Sequence, residues 1–193
     1  MDLLDDNFLV KEPKNNCEIY FFDIETAPNL AHVWGVWQQN VGANQVLQDG
    51  YVLCWAAKWD KQPEIFFSSV HSATRKKMLQ EIWNLLDEAD IVVHYNGIKF
   101  DIPWLNGEFI SEGLTPPSPY KQVDLMRVVK SKFRFARNTL AYVSVKLGLG
   151  QKVKHQGHEL WIKCMADDTE AWAEMEKYNR QDVVLTESLY DRL

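Results

Sequence analysis

Near the C-terminus, the stretch Tyr178-Asn-Arg-Gln-Asp182 puts a carboxylate where a helix should present its apolar side. Over residues 169–193 a helical period places Trp172, Met175, Tyr178, Asp182, Leu185 and Leu189 on one stripe. A carboxylate in the middle of such a stripe stays ionised only if it is paired, hydrogen-bonded or bound to a metal. Asp182 therefore needs a partner from elsewhere in the chain.

Two other segments offer one. Phe21-Phe22-Asp23-Ile24-Glu25-Thr26 carries two acids two residues apart, and strand alternation puts both on the face shared by Cys17, Ile19 and Phe21. Side by side they repel each other unless a cation intervenes, although the same spacing is ordinary where a strand runs out into solvent. Asp101 follows the apolar run Ile91-Val-Val-His94 and the turn Tyr95-Asn96-Gly97, at the start of a helix. There it could cap the helix and answer the macrodipole with no chemical duty. The company argues for more. Four carboxylates from separate segments, each at a strand end or on an apolar helix face, are the distribution that a preorganised oxygen-only site for a hard cation requires. Tyr178 lies one helical turn before Asp182 on the same face and reaches the same place.

The elements that must position these residues follow from periodicity and turn signals. Cys17 to Ile24, Tyr51 to Trp59 and Glu64 to Val70 read as strands, with turns at Asp49-Gly50 and Lys61-Gln-Pro63. Ser72 to Ala89 has helical periodicity through Met78, Ile82, Leu85 and Leu86, and Asp90 to His94 is a short apolar strand. Phe100 to Glu112 reads as helical with Pro103 in its first turn, and Pro116-Pro-Ser-Pro119 as a loop. Further helices are expected over about 124–132, 139–147 and 169–191, to within ~2–4 residues. Strands first and then alternation with helices predict an α/β layer architecture with a mixed sheet.

Composition bounds the class. With 193 residues, 46% of them hydrophobic and eight of them Trp, the chain can bury one sizeable core. No run of about eighteen apolar residues exists, so no membrane span is expected, and the polar N-terminus predicts no signal peptide. Three widely spaced cysteines without a C-x-x-C pair predict reduced thiols rather than disulfides or zinc. Net charge is −6, yet the stretch from Lys121 to Lys163 holds ten Lys or Arg against only Asp124 and Glu159. Either one face attracts phosphates or a solvated surface is unevenly charged.

In order along the chain, Asp23-x-Glu25, Tyr95-Asn96-Gly97-x-x-Phe100-Asp101 and Tyr178-x-x-x-Asp182 resemble the three motifs of the DnaQ-like 3′–5′ exonucleases. The tyrosine in the third motif is similar to the DEDDy subgroup, which includes proofreading domains of family-B DNA polymerases. The resemblance covers residues 19–190 and implies a ribonuclease H-like fold. That fold would be a mixed sheet of about five strands, three antiparallel and then parallel, flanked by helices. It would form a single domain over 17–193, behind an irregular lead-in over 1–16. The chain is too short to carry a polymerase as well, so a stand-alone enzyme is expected, similar to phage-encoded proteins. Its expected place is the cytoplasm, the host's if phage-encoded.

The resemblance implies phosphodiester hydrolysis with two divalent cations, Mg²⁺ or, in its place, Mn²⁺. On that analogy Asp23 bridges both ions, Glu25 and Asp182 complete one, and Asp101 holds the other largely through water. Tyr178 would orient the attacking water, since an ordinary phenol pKa near 10 makes it a poor base at neutral pH. The implied partner is nucleic acid, single-stranded DNA first, with RNA as the alternative. A non-catalytic nucleic-acid-binding module is the competing reading from another class, and the complete acid set stands against it. Thr26, Asn96 and Phe100 are the expected substrate contacts; Asn96 would hydrogen-bond the strand's backbone and Phe100 would stack on a base, although Phe100 also fits a core role. His94 reads as a hydrogen-bonded core residue, while His155 and His158 either contact phosphates or belong to a flexible loop. One departure stands out: Thr26 is followed by a Trp-rich stretch (Trp34, Trp37) where many relatives have a shorter turn.

Overall fold

The computed structural model describes residues 17–193, so the expected lead-in over 1–16 lies outside the described residues. The chain runs β1 (Ile19–Thr26), β2 (Leu30–Ala31), a 3-10 turn (Ala43–Gln45), β3 (Val46–Gln48), β4 (Val52–Trp59), β5 (Phe66–Ser69) and α1 (Arg75–Glu88). It continues through β6 (Ile91–His94), α2 (Asp101–Ser111), β7 (Lys121–Asp124), α3 (Leu125–Lys132), α4 (Leu140–Lys146), α5 (His158–Met165) and α6 (Thr169–Arg192). No helix among the described residues is long and apolar enough to cross a membrane.

Five strands form one mixed sheet in the order β5-β4-β1-β6-β7, as expected. β1 pairs antiparallel with β4, which pairs antiparallel with β5, while β1, β6 and β7 run parallel. The parallel half follows from α1 and α2, each of which carries the chain back across the sheet before the next strand. β4 is an inner strand, between β5 and β1, and is buried on both faces from Val52 to Ala57, which is why its sequence is a continuous apolar run and not an alternation. Its one charged member, Lys58, is buried against Glu187 of α6.

Helices cover both faces. On one side Tyr20, Phe22 and Ile24 of β1 meet Met78, Leu79, Ile82 and Leu86 of α1 and Ile102, Leu105 and Phe109 of α2. Each such aliphatic side chain contributes on the order of 1.5–3 kcal/mol relative to exposure. On the other side Phe21 packs with Val129, Val143, Val183 and Leu189 from α3, α4 and α6. β1 thus points even-numbered residues at one layer and odd-numbered residues at the other, which sends Asp23 and Glu25 toward α6. A third cluster seats α5 and the first half of α6 on Leu53 and Cys54.

All five expected helices begin and end within a few residues of their predicted limits. Thr74, Asp124, Thr139 and Asp168 cap α1, α3, α4 and α6 through side-chain oxygens, so the polar residue before each apolar stripe marks its start. Besides the 3-10 turn, four elements were not expected: β2, β3, β7 and α5. β7 is polar at three of its four positions (Lys-Gln-Val-Asp) and lies at a sheet edge, so it shows no apolar alternation. α5 has only Leu160 and Cys164 buried, too short a stripe to stand out by period. The ribbon of β2 with β3 pairs Leu30 with Gln48 and Ala31 with Val46, outside the main sheet.

Candidate metal centre

The site forms where β1, α2 and α6 meet. Carboxylate oxygens of Asp23, Glu25 and Asp182 all lie within 4.8 Å of one another. Alternation along β1 puts the first two on the α6 side of the sheet. α6 brings Asp182 to them because Tyr178, Asp182 and Leu185 share its buried stripe. Register between β1 and β4 slips after Glu25, so Glu25 faces Cys54 while Thr26 faces Val52. Such a bulge re-aims the strand end just where the carboxylates sit.

Asp101 arrives by a built turn. His94, fully buried, accepts the Gly97 N–H on Nδ1 at 3.0 Å and meets Gln122 Oε1 through Nε2 at 3.3 Å. Burial keeps its pKa below the ordinary value, so it is a neutral core histidine, as expected. Asn96 adopts a left-handed φ of 72° and gives its backbone N–H to Asp124 at 3.0 Å. Asp101 then opens α2. It does not cap its own helix. Its Oδ1 crosses to β1 and accepts the Ile24 N–H at 3.1 Å, between Asp23 and Glu25 in the chain. The turn therefore places the fourth carboxylate beside the other three.

Electrostatics at this point are costly without a cation. Burial, then the charges of Asp182, Asp101 and Glu25, hold the Asp23 carboxyl well above the usual carboxylate range. Glu25 is pushed up to about 8, first by burial and then by Asp182. Burial raises Asp101 to about 7. Asp182 is raised by burial too, and Oδ1 of this residue is buried with no hydrogen-bond partner. Four acids that all resist ionisation, one with an orphaned oxygen, fit hard divalent cations, which want oxygen ligands and supply the missing positive charge. Asp23, Glu25 and Asp182 have the positions to hold an ion directly, with Asp101 alongside.

Three residues that sequence reasoning did not assign belong to this site. Lys152, on the loop between α4 and α5, forms an ion pair with Asp182 Oδ2 and lies 3.2 Å from the Tyr178 hydroxyl. Burial disfavours its charge, yet Asp182 holds its pKa above the ordinary lysine range. Gly148 and Gly150 both have left-handed φ values, 70° and 128°, and the turns they permit bring Lys152 across the site. Asn179, fully buried, donates its side-chain amide to Asp23 Oδ2 at 2.8 Å. Trp161 of α5 lies close enough to Glu25 to oppose the rise in its pKa, and its ring meets Tyr178 edge-on. The signals were present only in part: Lys152 was one basic residue among ten, and Asn179 sat unremarked between Tyr178 and Asp182.

The remaining expected contacts are spread around this centre. Tyr178 is buried, and burial together with Asp182 and Glu25 keeps its phenol protonated far above neutrality. Thr26 lines a groove with Pro28, His155, His158 and Trp161, and the His155 ring lies 4.7 Å from that of Tyr178. Phe100 is 40% exposed and packs edge-on to Trp104, so it is no core residue; it lines a second groove of about 610 Å³. Of the basic segment, Lys152 turns inward, Lys163 pairs with Glu159, and Lys130, Lys132 and Arg134 are exposed at and just past the end of α3.

Comparison with known proteins agrees with the architecture. No curated protein sequence matches the chain. Among solved structures, the family B DNA polymerase from the hyperthermophilic archaeon Pyrobaculum calidifontis superposes with a TM-score of 0.67 at 19% identity, covering 92% of this chain. This chain spans about a quarter, 24%, of that polymerase's length. At that identity the likeness speaks for the fold, a ribonuclease H-like α/β sheet flanked by six helices among the described residues. The RNase H superfamily model RNase_H_2 matches residues 20–193, nearly all of what lies in the described fold, and the chain belongs to that superfamily.

Proposed function

We propose that this protein is a metal-dependent 3′–5′ exonuclease that hydrolyses phosphodiester bonds, with single-stranded DNA as its substrate. The observation that carries this reading is the convergence of Asp23, Glu25 and Asp182 within 4.8 Å, beside a protonated Tyr178 and a charged Lys152. The 3′–5′ direction rests on the three ordered motifs and on the structural likeness to a family B DNA polymerase.

Asp23, Glu25 and Asp182 would hold two Mg²⁺ or Mn²⁺ ions with help from Asp101. Bound there, the ions supply Lewis-acid polarisation of the phosphoryl oxygens and a lowered pKa for water. The protein's own groups do the rest. Tyr178 keeps its proton at neutral pH, so it acts as a hydrogen-bond donor that orients the attacking oxygen and not as a general base. Lys152 places a fixed positive charge where negative charge develops on the phosphoryl group, the electrostatic role that is worth most in a water-poor site. Asn179 fixes the rotamer of Asp23, and Asp101 is fixed by the Ile24 amide.

The test is a set of matched DNA and RNA oligonucleotides, each labelled and blocked at one end in turn, incubated with Mg²⁺ or Mn²⁺. Stepwise shortening of DNA from an unblocked 3′ end, lost in Asp182→Asn and in excess chelator, is the expected result. Shortening of RNA alone would move the substrate to RNA, and no cation-dependent hydrolysis of either would end the enzymatic reading.

A further inference from the structure

Residues 27–50 form an arm that the metal centre leaves unexplained. It leaves β1 one residue after Thr26 and returns just before β4. Its root is latched by the Ala27 N–H on the Tyr51 carbonyl at 2.8 Å and by the Gly50 N–H on Asn29 Oδ1 at 2.5 Å. Gly50 is required there, because a Cβ would meet the Ala27 carbonyl at 2.5 Å and the Trp104 ring at 2.9 Å. Between the latch and the tip, β2 pairs with β3. The tip carries Trp34 at 99% exposure, Val36 at 86% and Trp37 at 84%. Asp49 is the one Asp, Glu, Lys or Arg in the whole arm.

Both limbs of this arm are walls of grooves whose linings include the chain neighbours of two carboxylates, Thr26 next to Glu25 and Phe100 next to Asp101. The outgoing limb, through Thr26 and Pro28, lines the groove that also holds His155, His158 and Trp161. The returning limb, through Gln48, Gly50 and Tyr51, lines the larger groove with Lys99, Phe100 and Trp104. Any strand that leaves the carboxylates by either groove therefore runs along the arm. An indole with nearly its whole surface in water keeps both ring faces free, the condition for stacking on a base, and an arm almost without charge does not repel phosphates.

We propose, resting on the exonuclease reading above, that the arm is a stacking platform for the bases of a single nucleic-acid strand whose 3′ end lies at the carboxylates. Trp34 and Trp37 are the stacking residues. Trp34 is eight residues beyond Thr26, so it stands at most about 29 Å from the strand end at a fully extended rise. Neither indole lines either groove, so the bases they meet belong to the body of the strand and not to the terminal nucleotides. The arm's contribution thus depends on substrate length and on the presence of bases, whereas hydrolysis of a dinucleotide does not need it.

The experiment compares wild type, Trp34→Ala/Trp37→Ala and Trp34→Phe/Trp37→Phe as full chains. Affinity for fluorescein-labelled oligothymidylate of twelve residues is measured by anisotropy in chelator, alongside the same strand made abasic except at its two 3′-terminal positions. Hydrolysis of a thymidine dinucleotide with Mn²⁺ reports the metal centre separately. The double alanine variant is expected to bind the full strand about ten-fold or more weakly. It should match wild type on the abasic strand and on the dinucleotide, and the double phenylalanine variant should recover most of the affinity. Equal binding of the full strand by wild type and the alanine variant overturns the proposal, as does no measurable binding by wild type. An equal loss on the abasic strand overturns it too. So does a change of molecular mass by light scattering with binding unaltered, which would make the arm a protein interface. If wild type with Mn²⁺ cuts neither the twelve-residue strand nor the dinucleotide, the exonuclease reading fails, while the binding comparison still decides the role of the arm.

Discussion

Asn179 of α6 donates to Asp23 Oδ2 at 2.8 Å and to the Asp23 carbonyl at 3.3 Å, so a neutral side chain fixes the carboxylate most crowded by other acids. Its Oδ1 accepts from the Cys54 thiol at 3.9 Å, so both ends of the amide have a partner. Asn179→Ala should therefore loosen Asp23 and cost on the order of 1–3 kcal/mol, the penalty for a buried group deprived of its partner. Asn179→Asp should behave differently. It sets a fifth acid against Asp23, so its melting temperature should fall more steeply between pH 6 and pH 8 than that of Asn179→Ala. Parallel thermal melts of the two variants check this, and identical slopes would mean that Asn179 does not govern the charge on Asp23.

Lys152 stands in for part of the positive charge that the carboxylates lack. Removing it as Lys152→Met should have opposite effects on cation binding and turnover. Without the ammonium on Asp182, repulsion of an incoming cation disappears, and Mn²⁺ should bind several-fold more tightly by calorimetric titration. Hydrolysis should fall by about 10²-fold, because a fixed charge aimed at the reacting phosphoryl group is lost. A parallel loss of cation affinity and activity would show Lys152 to be a scaffold for Asp182 instead.

The balance between strand alternation and helical period made the acids legible before any coordinates. Asp23 and Glu25 had to share a face of β1, and Asp182 had to share the stripe of Tyr178, but that the two faces meet was implied by the ordered motifs and their resemblance to the DnaQ-like exonucleases, not by spacing. Asp101 was legible as a residue but not as a contact, since a helix start explains an acid by itself; only the crossing to the Ile24 amide separates the two roles. Lys152 was hidden for a physical reason. A lysine on an irregular loop has no period to betray its direction, and nothing local says that the turns at Gly148 and Gly150 aim it inward. The mixed sheet followed from turns and apolar runs, whereas β7 and α5 stayed invisible because each buries too few apolar side chains to leave a pattern.

The acid cluster should also set the pH dependence of stability. Glu25 at about 8 and Asp101 at about 7 bind protons in the folded state at pH values where the unfolded chain has released them. The folded state holds the extra protons, so stability must fall as pH rises from about 4 toward about 8. In chelator, the melting temperature should therefore decline across that window. Adding Mn²⁺ should raise it little at pH 5 and by several degrees at pH 8, where the carboxylates are free to bind. Glu25→Gln should flatten both trends. A cation effect that is the same at pH 5 and pH 8 would contradict the arrangement of ligands described here.

Gly97 offers a test of how the fourth carboxylate is placed, because its role is steric. A Cβ at this position would meet the His94 ring at 2.4 and 2.6 Å, and that ring is buried and held at both nitrogens. The ring cannot yield as the free end of a flexible side chain would. Gly97→Ala should thus displace the turn from Tyr95 to Phe100 and cost about 1–3 kcal/mol. Because Asp101 follows directly on that turn, the same variant should bind Mn²⁺ more weakly even at temperatures where it stays folded. His94→Ala in the Gly97→Ala background removes the clash, so it should restore part of the cation affinity while leaving a cavity beside Phe22 that keeps the melting temperature low. Recovery of affinity without recovery of stability is the signature of a turn that positions Asp101; recovery of neither would mean that Asp101 is placed by α2 alone.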